Sequence, residues 1–68
     1  MRLKELRKKR KISQLKLAMD LKMNQNSISR YENGEREADY ATLIKFADYF
    51  KVSIDYLLGR TNNPKMNE

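Results

Sequence analysis

Apolar residues recur along this chain at spacings of three and four, in short runs separated by small polar residues. That spacing puts each run on one face of a helix. Leu3 and Leu6 mark the inner stripe of a first helix over about residues 2–10, and Ile12 follows as an anchor. Ser13 suits the N-cap of a second helix, because its hydroxyl accepts from an otherwise unpaired amide. Leu17, Ala18 and Leu21 form that helix's inner face. After a break at residues 22–24, Asn24 caps a third helix from Gln25 to about Asn33, and Gly34 supplies a left-handed stop. Asp39 caps a fourth helix, with Leu43, Ile44, Ala47 and Phe50 expected inside. Ser53 caps a short fifth helix, Ile54 to Leu58, ended by Gly59. No segment alternates as a strand would. The expectation is an all-α, five-helix domain over residues 1–59, followed by a polar, disordered tail over 60–68.

The third helix carries the informative surface. With Ile28 at the centre of the inner face and about 100° per residue, Asn24, Tyr31 and Glu32 fall on or near that face. Asn26, Ser29, Arg30 and Asn33 fall opposite, with Gln25 at the edge. The outward set holds amides and a guanidinium and no acid. Asn and Gln can bond adenine in bidentate fashion, and Arg can bond guanine. A solvated polar face is the bland alternative, although such a face more often carries Glu and Lys.

Glu32 lies beside the inward Ile28, where an unpaired carboxylate is costly. Arg7 stands four residues beyond Leu3 on the inner stripe of the first helix. The geometry predicts an Arg7–Glu32 pair joining the first and third helices.

Composition narrows the function. The 68 residues carry a net charge of +6 and contain neither cysteine nor histidine. Disulfides, thiol nucleophiles, imidazole bases and the usual zinc ligands are therefore absent. A chain this short buries only roughly 60% of its unfolded surface, leaving little room for a deep cleft. The expectation is a protein that is not an enzyme and needs neither cofactor nor metal. No apolar run approaches the roughly 18 residues of a membrane helix. Residues 1–16 hold eight cations against one anion, a net +7, while the remainder is nearly neutral. A basic front attracts polyanions, either nucleic acid or an acidic membrane. Only Leu3 and Leu6 are strong apolar anchors within the first helix, which is thin for membrane insertion.

The ordered set Ser13-Gln14, Leu17-Ala18, Leu21, Ile28-Ser29, Glu32-Asn33-Gly34, Thr42-Leu43, Ala47, Val52-Ser53 and Leu57-Leu58 resembles the Cro and lambda-repressor-like (XRE) helix-turn-helix family. The likeness covers about residues 2–59. The ending Asp55 to Thr61 is similar to phage and prophage repressors in particular. The resemblance implies a transcriptional repressor in the cytoplasm of a bacterial or phage-infected cell, with its third helix in the major groove of double-stranded DNA. It implies that Gln25, Asn26, Ser29 and Arg30 read bases, and that Ser13, Gln14 and Asn33 contact phosphate. Gln14 would also brace the reading helix, and Arg7 with Glu32 matches the family's structural ion pair. Three departures stand out. Lys22 occupies the turn where the family often has glycine. Ala38 replaces a common proline. Glu35, Glu37 and Asp39 oppose phosphate contact by Arg36.

One reading helix covers about four base pairs, so useful selectivity needs two copies. A two-fold dimer would read a pseudo-palindromic operator with half-sites ~34 Å apart. Tyr49, Val52, Ile54, Tyr56, Leu57 and Leu58 are the candidate homodimer contact, with intramolecular packing as the alternative. Leu15 and Met19 point away from the second helix's core face and are a candidate surface for RNA polymerase or an antagonist protein. An antitoxin, a restriction-modification controller or a non-DNA interaction adaptor would reuse the same fold.

Overall fold

Small polar side chains start four of the five helices. In the computed structural model, which describes residues 1–65, the order is α1 (Leu3–Lys9), α2 (Gln14–Leu21), α3 (Gln25–Glu32), α4 (Tyr40–Phe50) and α5 (Ile54–Leu57), with no strand among the described residues. Ser13 Oγ accepts from the Lys16 amide at 3.0 Å, and Asn24 Oδ1 accepts from Asn26 at 2.8 Å. Asp39 Oδ1 accepts from Thr42 at 2.9 Å, and Ser53 Oγ accepts from Tyr56 at 3.1 Å. Four orphan amides are satisfied in this way.

One motif terminates every helix. A residue in the left-handed region donates its amide to the carbonyl three back, and the next residue donates to the carbonyl five back. This is the Schellman pattern. The left-handed residues are Lys11 (φ 57°), Lys22 (φ 55°), Gly34 (φ 75°), Lys51 (φ 56°) and Gly59 (φ 82°). Glycine adopts this conformation without steric cost; a lysine costs roughly 1–2 kcal/mol. A cation beside the helix's negative end offsets part of that cost. Helical periodicity alone does not mark Lys11 and Lys51 as left-handed. The recurring order lysine, apolar residue, polar cap (Lys11-Ile12-Ser13, Lys22-Met23-Asn24, Lys51-Val52-Ser53) is the signal that marks them.

Leu3, Leu17, Ile28, Phe46 and Leu57 fill the centre of the core, one from each helix. The Tyr31 ring meets Phe46 edge-on at 5.6 Å. Ile44 was expected inside and is instead 48% exposed. Phe46, Ala47 and Phe50 centre the buried face of α4, and Ile44 lies about 110° from that centre. The candidate dimer set also divides. Leu57 and Val52 are buried within their own domain, so they cannot cover a partner, whereas Ile54 and Leu58 are exposed. Tyr49 and Tyr56 are half-buried against the core.

The arginines of the basic front bond back onto the rest of the chain. Arg2 donates from Nε to the Tyr56 carbonyl at 2.9 Å and from Nη2 to Asn62 Oδ1 at 2.9 Å, and its guanidinium lies 4.5 Å from the centre of the Tyr56 ring. Arg10 donates to the carbonyls of Tyr49 (3.1 Å) and Phe50 (2.9 Å), capping the end of α4. Arg2 thus bonds the polar segment over 60–65, whose Pro64 carbonyl accepts from the Ser53 amide at 3.0 Å. The expectation for residues 66–68 lies outside the described residues.

Arg7 joins α1 to α3. Its Nε donates to Glu32 Oε2 at 2.6 Å, its Nη2 to Glu32 Oε1 at 3.1 Å, and its Nη1 to the Ile12 carbonyl at 2.9 Å. The Glu32 side chain has no solvent exposure. Burial pushes its pKa up, but hydrogen bonds from Arg7 and Gln14, with the charges of Arg7 and Lys4, outweigh this and hold it below the usual carboxylate value. A depressed folded pKa gives stability that is fully present above the unfolded value, about 4.3, and lost as pH falls through the folded one. Glu32→Ala is expected to cost roughly 3–5 kcal/mol in urea unfolding, because it strands a buried guanidinium. Glu32→Gln should flatten the acid limb of the stability–pH curve relative to wild type; an unchanged limb would remove Glu32 from the acid response.

Candidate nucleic-acid interface

The surface of α3 follows from its anchoring. Ile28 is fully buried, Tyr31 nearly so, and the Glu32 carboxylate is held by Arg7. These three fix the helix's rotation. Gln25, Asn26 and Arg30 are left exposed, with Ser29 half-exposed between them. Among the described residues, the side-chain donors and acceptors of Gln25, Asn26 and Arg30 have no protein partner. Asn33 is also exposed, and its Nδ2 donates to Ser29 Oγ at 3.4 Å, one turn back. The four residues expected to read bases thus share one face, and three of them offer unengaged hydrogen-bonding groups.

Gln14, the first residue of α2, has a different role in the packing. Its Nε2 donates to Glu32 Oε1 at 3.1 Å, so the same carboxylate ties α1 and α2 to α3. Ser13, one residue earlier, is exposed and uses its oxygen as an acceptor for the Lys16 amide. Its hydroxyl hydrogen stays available to an outside acceptor.

A second polar link joins α2 to α4. Tyr49 donates its hydroxyl to Asp20 Oδ2 at 2.6 Å, and Lys16 donates to Asp20 Oδ1 at 3.0 Å. The Tyr49 hydroxyl, then Lys16, lowers the Asp20 pKa, while Asp20 raises that of Tyr49. Lys16 is thereby paired. Lys4, Lys8, Lys9, Lys11 and Lys22 are exposed and make no ion pair among the described residues.

The remaining surface features are apolar or mixed. Leu15 is 53% exposed and Met19 68% exposed on the outer side of α2. Tyr40, at the start of α4, is 86% exposed, and nothing in the sequence distinguishes its ring from the buried aromatics. Arg36 lies 5.4 Å from the centre of the Tyr31 ring, held over the aromatic face in the loop that also carries Glu35 and Glu37. No helix among the described residues is long and apolar enough to cross a membrane.

Comparison with known proteins agrees with this geometry. The helix-turn-helix family profile matches residues 3–57. The HTH-type transcriptional regulator ImmR of Bacillus subtilis is 42% identical over 67 residues, covering 98% of this chain and 53% of its own length. The uncharacterized HTH-type transcriptional regulator YqaE of the same organism is 41% identical over 64 residues, covering 94% of this chain and 55% of its own. The uncharacterized HTH-type transcriptional regulator YobD, also of that organism, is 33% identical over 63 residues, covering 93% of this chain and 56% of its own length. The chain therefore spans about half the length of these relatives. No solved structure matches it significantly.

The cap of α3 sets where the helix starts, immediately before Gln25. Asn24→Ala is expected to lower stability by about 1 kcal/mol in urea unfolding, and Asn24→Asp to retain it. If both variants unfold at the wild-type midpoint, the cap is not what starts the helix.

Proposed function

The chain belongs to the XRE-type helix-turn-helix family of DNA-binding transcriptional regulators, and we propose that it is a repressor that binds a pseudo-palindromic operator as a dimer. The carrying observation is the outer face of α3, where Gln25, Asn26 and Arg30 are exposed and unengaged on a helix whose rotation is fixed from behind. In this reading α3 lies in the major groove, and Gln25, Asn26, Ser29 and Arg30 contact base edges. Ser13, Gln14 and Asn33 contact the phosphate backbone, Gln14 with the amide hydrogen that Glu32 does not take.

The dimer would bury the exposed apolar residues of the α4–α5 side. Ile54 and Leu58 remain available from the original candidate set, and Ile44 joins Ile54 along a shallow groove between the two helices. Leu15 and Met19 lie on α2 rather than on this side. Their exposure supports a separate contact with RNA polymerase or an antagonist protein. A chain with Leu15→Glu that binds DNA normally yet loses regulated transcription would support that contact; unchanged regulation would count against it.

Selection of bound duplexes from a random library tests the main reading. The expected result is a repeated half-site with inverted symmetry and centres about 10 base pairs apart. Enrichment of no motif would refute sequence-specific reading. Arg30→Ala should weaken operator binding by roughly 1–3 kcal/mol and relax one base preference. A uniform loss across all sequences would instead make Arg30 a phosphate contact.

A further inference from the structure

The fold uses five equivalent left-handed positions, and their occupants differ. Gly34 and Gly59 stand after α3 and α5, with open space where a side chain would go. Lys11, Lys22 and Lys51 stand after α1, α2 and α4 with the same backbone and the same two terminating hydrogen bonds. Glycine satisfies the motif with less strain, as the two glycine-ended helices show. Complementing a helix dipole would serve α3 and α5 as well as the other three, so it does not explain the distribution. Strain retained at a surface position raises the question of a use for the side chain, and strain alone does not separate Lys51 from the other two.

Position separates the three lysines. Lys11 lies two residues before Ser13, the cap of α2, and Lys22 lies two residues before Asn24, the cap of α3. They therefore occupy the turns that lead into the two helices of the helix-turn-helix. Lys51 leads into α5, which carries no candidate reading residue. The supply of other cations narrows the choice further. Arg2, Arg7 and Arg10 commit their guanidinium donors to other parts of the chain, Arg10 while remaining exposed, and Lys16 is paired with Asp20. Lys4, Lys8, Lys9, Lys11 and Lys22 are exposed and make no ion pair among the described residues, and of these only Lys11 and Lys22 stand in left-handed turns.

We propose that Lys11 and Lys22 are phosphate contacts on either side of α2, held in the left-handed conformation at the expense of stability because their turns border the DNA backbone. The proposal rests on the DNA-binding reading above. Lys51 is the internal control: it has the same left-handed backbone and the same charge in the turn between α4 and α5, outside the helix-turn-helix.

The test compares Lys11→Gly, Lys22→Gly and Lys51→Gly by thermal melting and by binding to a random-sequence duplex across a salt series. All three should melt at or above the wild-type temperature, because glycine relieves the strain. Lys11→Gly and Lys22→Gly should each bind roughly five- to tenfold more weakly near 0.1 M salt, with the slope of log affinity against log salt shallower by about one. Lys51→Gly should keep the wild-type slope, and Lys22→Arg, which keeps the cation, should bind as wild type. If the three glycine variants share one slope, altered or not, the lysines act only through general charge or helix ends, and the proposal fails. A wild-type chain that binds no duplex DNA would overturn the DNA-binding reading itself, and this proposal with it.

Discussion

A fully buried carboxylate governs how this domain holds its third helix. Glu32 sits on the inward side of α3 because one turn of helix separates it from Ile28, which the core requires. Burial there is tolerable only with charge-matched donors in place. Arg7 supplies a two-point contact from α1 and Gln14 a further bond from the start of α2. One side chain thus fixes the rotation of α3 against two other helices. The same constraint leaves the opposite face free of any packing role, and that face can carry whatever polar groups an outside partner requires.

The two kinds of cation divide the work. Arginine's planar fork reaches several acceptors at once, which suits carboxylates and the carbonyls at helix ends. Arg2, Arg7 and Arg10 are all used in this way, each bonding residues outside α1. The lysines, compact charges on flexible stems, supply most of the exposed positive surface. Of the front's arginines, Arg7 is neutralised by Glu32, while Arg2 and Arg10 keep their charge but commit hydrogen-bond donors to carbonyls. A count of basic residues does not separate cations that assemble the domain from cations that face outward.

The helix ends show a related economy of means. Each helix closes with the same pair of hydrogen bonds, and an apolar residue follows the left-handed lysine each time: Ile12, Met23 and Val52. Those three residues are at least partly buried against the core. A terminator therefore also serves as a packing point, which explains how helices of 4 to 11 residues can form one core. Isolated helices of this length are marginal in water, and the helices here depend on packing for their stability.

The sequence by itself determined the five helices, their polar caps and the inner and outer faces of α3. Each of these depends on contacts within four residues, where periodicity and cap chemistry leave few alternatives. The placement of Arg7 opposite Glu32 was readable for a related reason: a carboxylate on an apolar face demands a cation on another. The tertiary structure decided what no local pattern could. It turned Ile44 outward and put Phe46 at the centre, since two apolar neighbours on one helix compete and packing selects between them. It buried Val52 and Leu57, leaving Ile54 and Leu58 exposed. It sent Arg2 and Arg10 to carbonyls 54 and 40 residues away, in partnerships that exist only once the chain ends meet. Local spacing sets which side of a helix is apolar, whereas which apolar and charged groups are used up inside depends on the neighbouring surfaces that folding brings together.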